Sequence, residues 1–342
     1  MTAERGAPPR PIMRQVAALA GVSLKTASRV LNGENYVAAA TAAKVHLAAS
    51  QLGFRRNVIA RELRAGARST SIGLIIGDVA NPFYARIARG AERRLRAEGL
   101  QLITASSDED PELEHALIAD MLERRVSGML IVTSGTQHGY LDTERRRGTP
   151  VVFLDRPPED VVADAIVLDN AGGVLQAVQH LLDQRHRRIG LIGDLSRLST
   201  HRQRAAAFET AMTAAGIVNW QKYVRSDSHD VEAAEQSVRE LLNLTPKPTA
   251  LLTTNNRITI GALKALRGHQ QPPALIGFDD FDLADLLDVT VVAHDPERMG
   301  LLGAELVIAR LDGDTSPPRR ELLPTHLVMR GSGERSARRA NR

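Results

Sequence analysis

The stretch Arg14-Gln-Val-Ala-Ala-Leu-Ala-Gly-Val-Ser-Leu-Lys-Thr-Ala-Ser-Arg-Val-Leu-Asn32 spells two short amphipathic helices folded about a glycine turn. In the first, Val16, Ala17, Leu19 and Ala20 give an apolar face at helical spacing, and Gly21 stands where a left-handed C-terminal residue is wanted. Ser23 is placed to cap the second, in which Ala27, Val30 and Leu31 point back at the first. Leu24, Lys25, Ser28 and Arg29 recur on the outward face. Two cations, a hydroxyl and an exposed leucine on one face suit insertion into the major groove of double-stranded DNA. The pattern reads as a helix-turn-helix; the plainer alternative is a helical hairpin with no nucleic-acid role.

Working outward, residues 1–66 carry ten basic side chains against three acidic ones, a balance of +7, while the whole chain is only +4, leaving −3 for the rest. A basic head on a mildly acidic body is the charge signature of a DNA-binding module joined to a sensor or an enzyme. A third helix, roughly 41–52, turns Val45, Ala48, Ala49 and Leu52 inward, and Gly53 ends it. Residues 57–65 form a helical pattern too short to stand alone in water, so they read as a hinge.

The 342 residues are too many for one core, and no run of eighteen apolar residues occurs that would span a membrane. Residues 1–11, with three prolines, read as a disordered basic arm without the apolar centre of a secretory signal. With no cysteine, disulfides, thiolate nucleophiles and cysteine-ligated zinc are excluded together. A cytoplasmic location is the expectation.

From Ile72 onward, apolar β-rich runs alternate with helical patterns. The strands expected are 72–76, 100–105, 129–133, 151–154, 166–168, 189–192, 250–253, 275–278 and 289–293. That alternation argues parallel sheets wrapped by helices, an α/β class, and the strand number suits two doubly wound subdomains. Ligands in such sheets bind beyond the carboxyl ends of strands. Polar residues stand there: Asp78, Asn81, Asp155-Arg156, Asp169-Asn170, Asp194, Asn255-Asn256 and Asp279-Asp280.

Val16-Ala-x-x-Ala-Gly-Val-Ser23, Thr26-x-Ser-Arg-Val-Leu-Asn32, Leu52-Gly-Phe54, Asn57, Ala60-x-x-Leu63-Arg64, Ile72-Gly-Leu74, Asn81-Pro-Phe-Tyr84, Asp155-Arg156, Gly277-Phe-Asp-Asp280 and Leu322-Leu-Pro324 together resemble the LacI/GalR family of bacterial transcriptional regulators, over nearly the whole chain. The resemblance implies a homodimer on a near-palindromic operator and a two-lobed, periplasmic-binding-protein-like core that senses a small sugar or sugar derivative. It divides the chain into a helix-turn-helix domain at 12–56, a hinge helix and linker at 57–71, a core at 72–330 and a basic tail at 331–342. The core splits into lobe 1, about 72–162 and 292–318, and lobe 2, about 163–291 and 319–330. DNA contacts are implied for Leu24, Lys25, Ser28, Arg29 and Asn32 of the head, and for Asn57, Ala60 and Leu63 of the hinge, where Leu63 would wedge into the minor groove. The effector set implied is Phe83, Tyr84, Asp155, Arg156, Asn170, Arg202, His229, Asn255, Asn256 and Asp279. Such a mixture of carboxylates, amides and arginines holds hydroxyl-rich ligands by paired donors and acceptors. Arg156 and Arg202 would suit an acidic sugar derivative or a sugar phosphate better than a neutral sugar, although by the resemblance arginines at these positions also bind neutral sugars.

The chain departs from the family pattern at Ile12 and Ala38, where helix caps are lost at a cost of roughly 0.5–2 kcal/mol each, at Gln15, where a favourable charge at the helix N-terminus is lost, and at Arg56, where relatives have proline. An enzyme is not expected: Asp194, Ser199 and His201 lack a nucleophile elbow. Nor are metals or nucleotide cofactors. His180 and His186 are wrongly spaced for a helical zinc pair, and no glycine-rich phosphate loop occurs. A transport-type sugar-binding protein shares the core fold, but the basic head argues against it.

Overall fold

A computed structural model describes residues 11–34, 36–54 and 69–337. The chain separates into two compact units, a head up to Ser69 and a core from Thr70.

In the head, α1 (Met13–Ala20), α2 (Leu24–Leu31) and α3 (Ala39–Leu52) enclose a core of Val16, Ala17, Ala27, Val30, Leu31, Val45, Ala48 and Ala49. Gly21 at φ 66° and Gly53 at φ 62° end the first and third helices in the left-handed region, which a side chain would strain. α3 begins two residues before the expected start, and Ala38 offers it no side-chain cap. At α1, Gln15 Oε1 accepts the Ile12 backbone N–H at 2.9 Å. The glutamine thus supplies the returning half of a capping box that Ile12 cannot complete.

The core carries two six-stranded sheets. In lobe 1, β1 (Ser71–Ile76), β2 (Gln101–Ser106), β3 (Gly128–Ile131), β4 (Val151–Asp155), β5 (Asp164–Leu168) and β11 (Arg320–Leu323) lie in the order β11-β5-β4-β3-β1-β2, every pair parallel. In lobe 2, β6 (Ile189–Ile192), β7 (Val224–Arg225), β8 (Ala250–Thr253), β9 (Ala274–Phe278), β10 (Thr290–Ala293) and β12 (His326–Val328) lie in the order β12-β10-β9-β8-β6-β7, with only β12 antiparallel. Most strands are buried on both faces, as parallel sheets covered by helices require. The helices are α4 (Pro82–Ala97), α5 (Pro111–Glu123), α6 (Leu141–Arg146), α7 (Asn170–Asp183), α8 (Ser199–Ala214), α9 (Val231–Leu242), α10 (Asn256–Leu266) and α11 (Pro296–Leu311).

The lobes are divided differently from the sequence-based expectation. β5 pairs with β4 and β11 with β5, so 164–168 and 320–323 belong to lobe 1, while β10 at 290–293 belongs to lobe 2. The expected break at 162/163 fell in the polar loop 156–163, which joins two parallel neighbours without the crossover helix such pairs usually need. The chain changes lobe after β5, after β10 and after β11. Residues 331–337 are not a free tail. Ser332 is buried, its backbone N–H donates to Asp288 O at 2.9 Å and its carbonyl accepts from Leu275 N at 3.0 Å.

Candidate functional site

On the head, Ser23 Oγ accepts the Thr26 backbone N–H at 3.0 Å and fixes the first turn of α2. With Ala27, Val30 and Leu31 buried, Leu24, Lys25 and Arg29 are exposed and Ser28 is half-buried. Leu24 keeps half of its surface in water, an arrangement the head's own packing does not need. Arg29 Nε lies 3.5 Å from Glu34 Oε2, an exposed pair that a nucleic-acid partner displaces cheaply. Asn32 caps α2 and its Nδ2 donates to Ser28 Oγ at 3.4 Å. Asn57, Ala60 and Leu63 lie outside the described residues.

In the core, the carboxyl ends of both sheets face one cleft. Asp155 closes β4 at φ 62° and Asp279 follows β9 at φ 68°. The Arg156 backbone N–H bonds back to Leu154 O at 2.6 Å, bending the chain tightly round Asp155. Non-glycine residues in this region cost about 1–3 kcal/mol each and gather where a side chain must be aimed. From lobe 1 the cleft is lined by Asn81, Phe83, Tyr84, Glu109, Asp155 and Arg156, and from lobe 2 by Asp194, Thr200, Arg204, His229, Asn255 and Asp279, with Asp78 and Arg257 at its rim.

Each lobe-2 carboxylate is paired. Asp279 Oδ1 is 2.8 Å from His294 Nε2. Burial works to raise the Asp279 pKa, but the His294 bond and the Arg204 charge outweigh it and hold the carboxyl below its usual range. Asp194 Oδ1 meets His229 Nδ1 at 2.7 Å and Oδ2 accepts Asn255 Nδ2 at 2.7 Å. There too burial is overcome by the histidine bond, which lowers Asp194 and raises His229. Asp155 is the exception: burial dominates and lifts its pKa, with Arg156 and Arg204 opposing only in part.

Several expected residues are placed otherwise than expected. Arg202 does not reach the cleft: its side chain is 45% exposed and pairs with Glu159 and the Arg197 carbonyl. Arg204 takes that place, its Nε donating to Asn170 Oδ1 at 2.8 Å and its guanidinium lying 3.7 Å from the Phe278 ring centroid. Two residues along a helix turn a side chain by about 200°, so the two arginines leave on opposite faces. Asn170 is buried behind Arg204 and does not line the cavity. Asn256 is also buried off the cavity, and its Nδ2 donates to Asn81 Oδ1 at 2.9 Å across the lobes. Phe83 and Tyr84 line the cleft with ring centroids 5.0 Å apart, Phe83 meeting His294 edge-on. Glu109, Thr200, Arg204 and Arg257 were not anticipated. Glu109, just beyond β2, was reachable by the same strand-end reasoning that found Asp155.

The lobes touch across the mouth. Arg257 Nη1 is 3.6 Å from Asp78 Oδ2, and Arg197 Nη1 donates to Ser134 O at 2.8 Å. The remaining cavity is about 30 Å³, little more than a water molecule needs, so this is a closed form of the cleft. His201 Nε2 lies 3.2 Å from Ser226 Oγ rather than on Ser199, so Asp194, Ser199 and His201 form no relay. No helix among the described residues is long and apolar enough to cross a membrane.

A cleft of carboxylates, amides and guanidiniums between two largely parallel sheets, in a chain that opens with a helix-turn-helix head, defines a regulator with a DNA-reading part and a small-molecule part. The family comparisons agree: residues 12–57 match the bacterial regulatory proteins of the lacI family, and residues 178–333 match the periplasmic binding protein-like domain. The ribose operon repressor of Escherichia coli strain K12 is 31% identical over 329 residues, covering 94% of this chain and 99% of that protein. Among solved structures, a LacI-family transcriptional regulator from Silicibacter pomeroyi superposes with TM-score 0.82 at 25% identity, covering 95% of this chain and 100% of that one. The complex of the transcriptional regulator CelR with cellobiose superposes with TM-score 0.70 at 29% identity, covering 94% and 100%. The chain belongs to the lacI family of bacterial regulatory proteins and is a DNA-binding transcriptional regulator.

Proposed function

We propose that this regulator represses transcription as a homodimer on a near-palindromic operator, and that a small carbohydrate-like effector in the cleft sets its operator affinity. The observation that carries the reading is the set of hydrogen-bonding groups brought from both sheets to one interior cavity, with Phe83 and Tyr84 as ring faces beside them. The names of two relatives, a ribose operon repressor and a regulator in complex with cellobiose, support it. Leu24, Lys25, Ser28, Arg29 and Asn32 read the major groove, Asn57 and Ala60 contact DNA from the hinge, and Leu63 wedges the minor groove. An effector parts the Arg257–Asp78 and Asn256–Asn81 bridges, since the closed cavity has no room for a sugar. The coupling between the sites is reciprocal and of about 1–3 kcal/mol. Chemistry on the effector plays no part. Fluorescence anisotropy of the full-length chain on an inverted-repeat duplex, titrated with D-ribose, cellobiose and related sugars, tests the reading. It predicts a change of about 5–150-fold in operator affinity with one of them; indifference to every sugar, with the cleft shown occupied by calorimetry, would refute it.

A further inference from the structure

We propose that Glu109 sets the charge of the effector: by occupying the Arg156 guanidinium it makes the cleft a site for an uncharged polyhydroxyl ligand and excludes sugar phosphates and sugar acids. The inference rests on the effector reading above and names its ligand class.

Glu109 is brought to the cleft at a conformational cost. Asp108 and Glu109 are successive non-glycine residues at φ 49° and 58°, just beyond β2. Gly77 makes room for the carboxylate, since a Cβ there would fall 1.9 Å from Glu109 Oε1. The result is a closed chelate. Arg156 Nη2 donates to Glu109 Oε1 and to Tyr84 Oη, each at 2.9 Å, while Nη1 donates to Glu109 Oε2 and, at 2.8 Å, to Thr133 O. All four terminal N–H groups of the guanidinium are spent inside the protein.

Arg204 is engaged as well, holding Asn170 and the Thr254 carbonyl above the Phe278 ring, while Arg257 stands at the rim, where it faces Asp78 across the lobes. The Arg156 fork is closed by a carboxylate of the protein itself, so a phosphate or carboxylate finds no open fork there and meets the Glu109, Asp194 and Asp279 carboxylates around it. What is left unsatisfied is different. Asp155 Oδ1 and Arg156 Nε, on two residues that line the cavity, are buried without hydrogen-bond partners among the described residues, and Arg156 Nε lies 3.6 Å from the other Asp155 oxygen. An acceptor beside a single donor is matched by a hydroxyl, which donates to one and accepts from the other. This reverses the expectation of an acidic sugar or phosphate, which counted Arg156 as free and placed Arg202 in the cleft.

The test uses the full-length chain at constant ionic strength, reading thermal midpoints with and without inorganic phosphate. Glu109→Gln leaves a buried guanidinium without its counter-charge, so its midpoint falls, and phosphate restores it by about 2–4 °C. The double variant Glu109→Gln/Arg156→Met is the reference for phosphate held elsewhere and shows no such gain. A phosphate gain no larger than that reference overturns the proposal. Should Glu109→Gln not fold, the wild type decides: stabilisation by D-ribose 5-phosphate or D-gluconate that Arg156→Met abolishes overturns the proposal, and a response confined to neutral sugars supports it. Operator anisotropy runs in parallel, so loss of operator preference counts against the regulator reading and leaves the charge result standing.

Discussion

Asp194 and His229 show what one buried pair does. The histidine is raised above its ordinary 6.5 by its bond to Asp194, so its contribution to stability is full below about pH 6.5 and is lost as pH rises through the higher folded value. Asp194, being lowered, adds its share above about pH 4 and loses it as pH falls further. The stability deficit of His229→Gln, measured by urea unfolding, is therefore widest in mildly acidic buffer and narrows toward alkaline pH; a deficit that grows with pH contradicts the pair. Arg204→Ala abolishes the effector response in the operator titration, whereas Arg202→Ala, which loses its pair with Glu159 and its bond to the Arg197 carbonyl, keeps it. The reverse result would return Arg202 to the site. Asp155, Arg156 and Asp279 were legible in the sequence because a polar residue just past a parallel strand has one place to point. Arg202 and Arg204 were not separable that way, since which face of α8 meets the cleft depends on how the helix packs on Phe278 and Asn170.

At the scale of elements, α2 and nine of the twelve strands announce themselves in the sequence pattern, but α11 does not. Met299, Gly300, Leu302, Gly303, Ala304, Leu306, Val307 and Ile308 are all buried, so the helix has no clean polar face and no amphipathic signal. Its position depends on close approach to α4, where a Cβ on Gly300 would fall 1.9 Å from Ile87 O and one on Gly90 2.0 Å from Glu297 O. Gly300→Ala therefore forces the helices apart and lowers unfolding free energy by about 1–3 kcal/mol; an unchanged denaturant midpoint contradicts the contact. The short β7, β11 and β12 were missed for another reason, since two to four residues carry no pattern of their own and each strand is held by a neighbour distant in sequence. In the head, Ala38→Ser supplies the cap that α3 lacks and raises its stability by about 0.5–2 kcal/mol. Calorimetry of the full-length chain reads this as a later head transition, and no shift means the added hydroxyl does not bond the first turn.

At the scale of the molecule, the lobes join through three chain crossings, and the cleft is sealed by direct bridges such as Asn256 to Asn81 and Arg257 to Asp78. On the proposed reading, a ligand that enters exchanges those bridges for its own contacts and so changes how the two lobes meet. The family class was legible from the order of short motifs along the chain. The lobe boundary was not, because β4 and β5 are joined without the helix that marks other parallel neighbours. The most direct measurement is a comparison of the full-length chain on an inverted-repeat operator and on random duplex, over a range of salt, with and without a neutral sugar. The account predicts operator preference that persists as salt rises and shifts with the sugar; equal binding to both duplexes under every condition would contradict it.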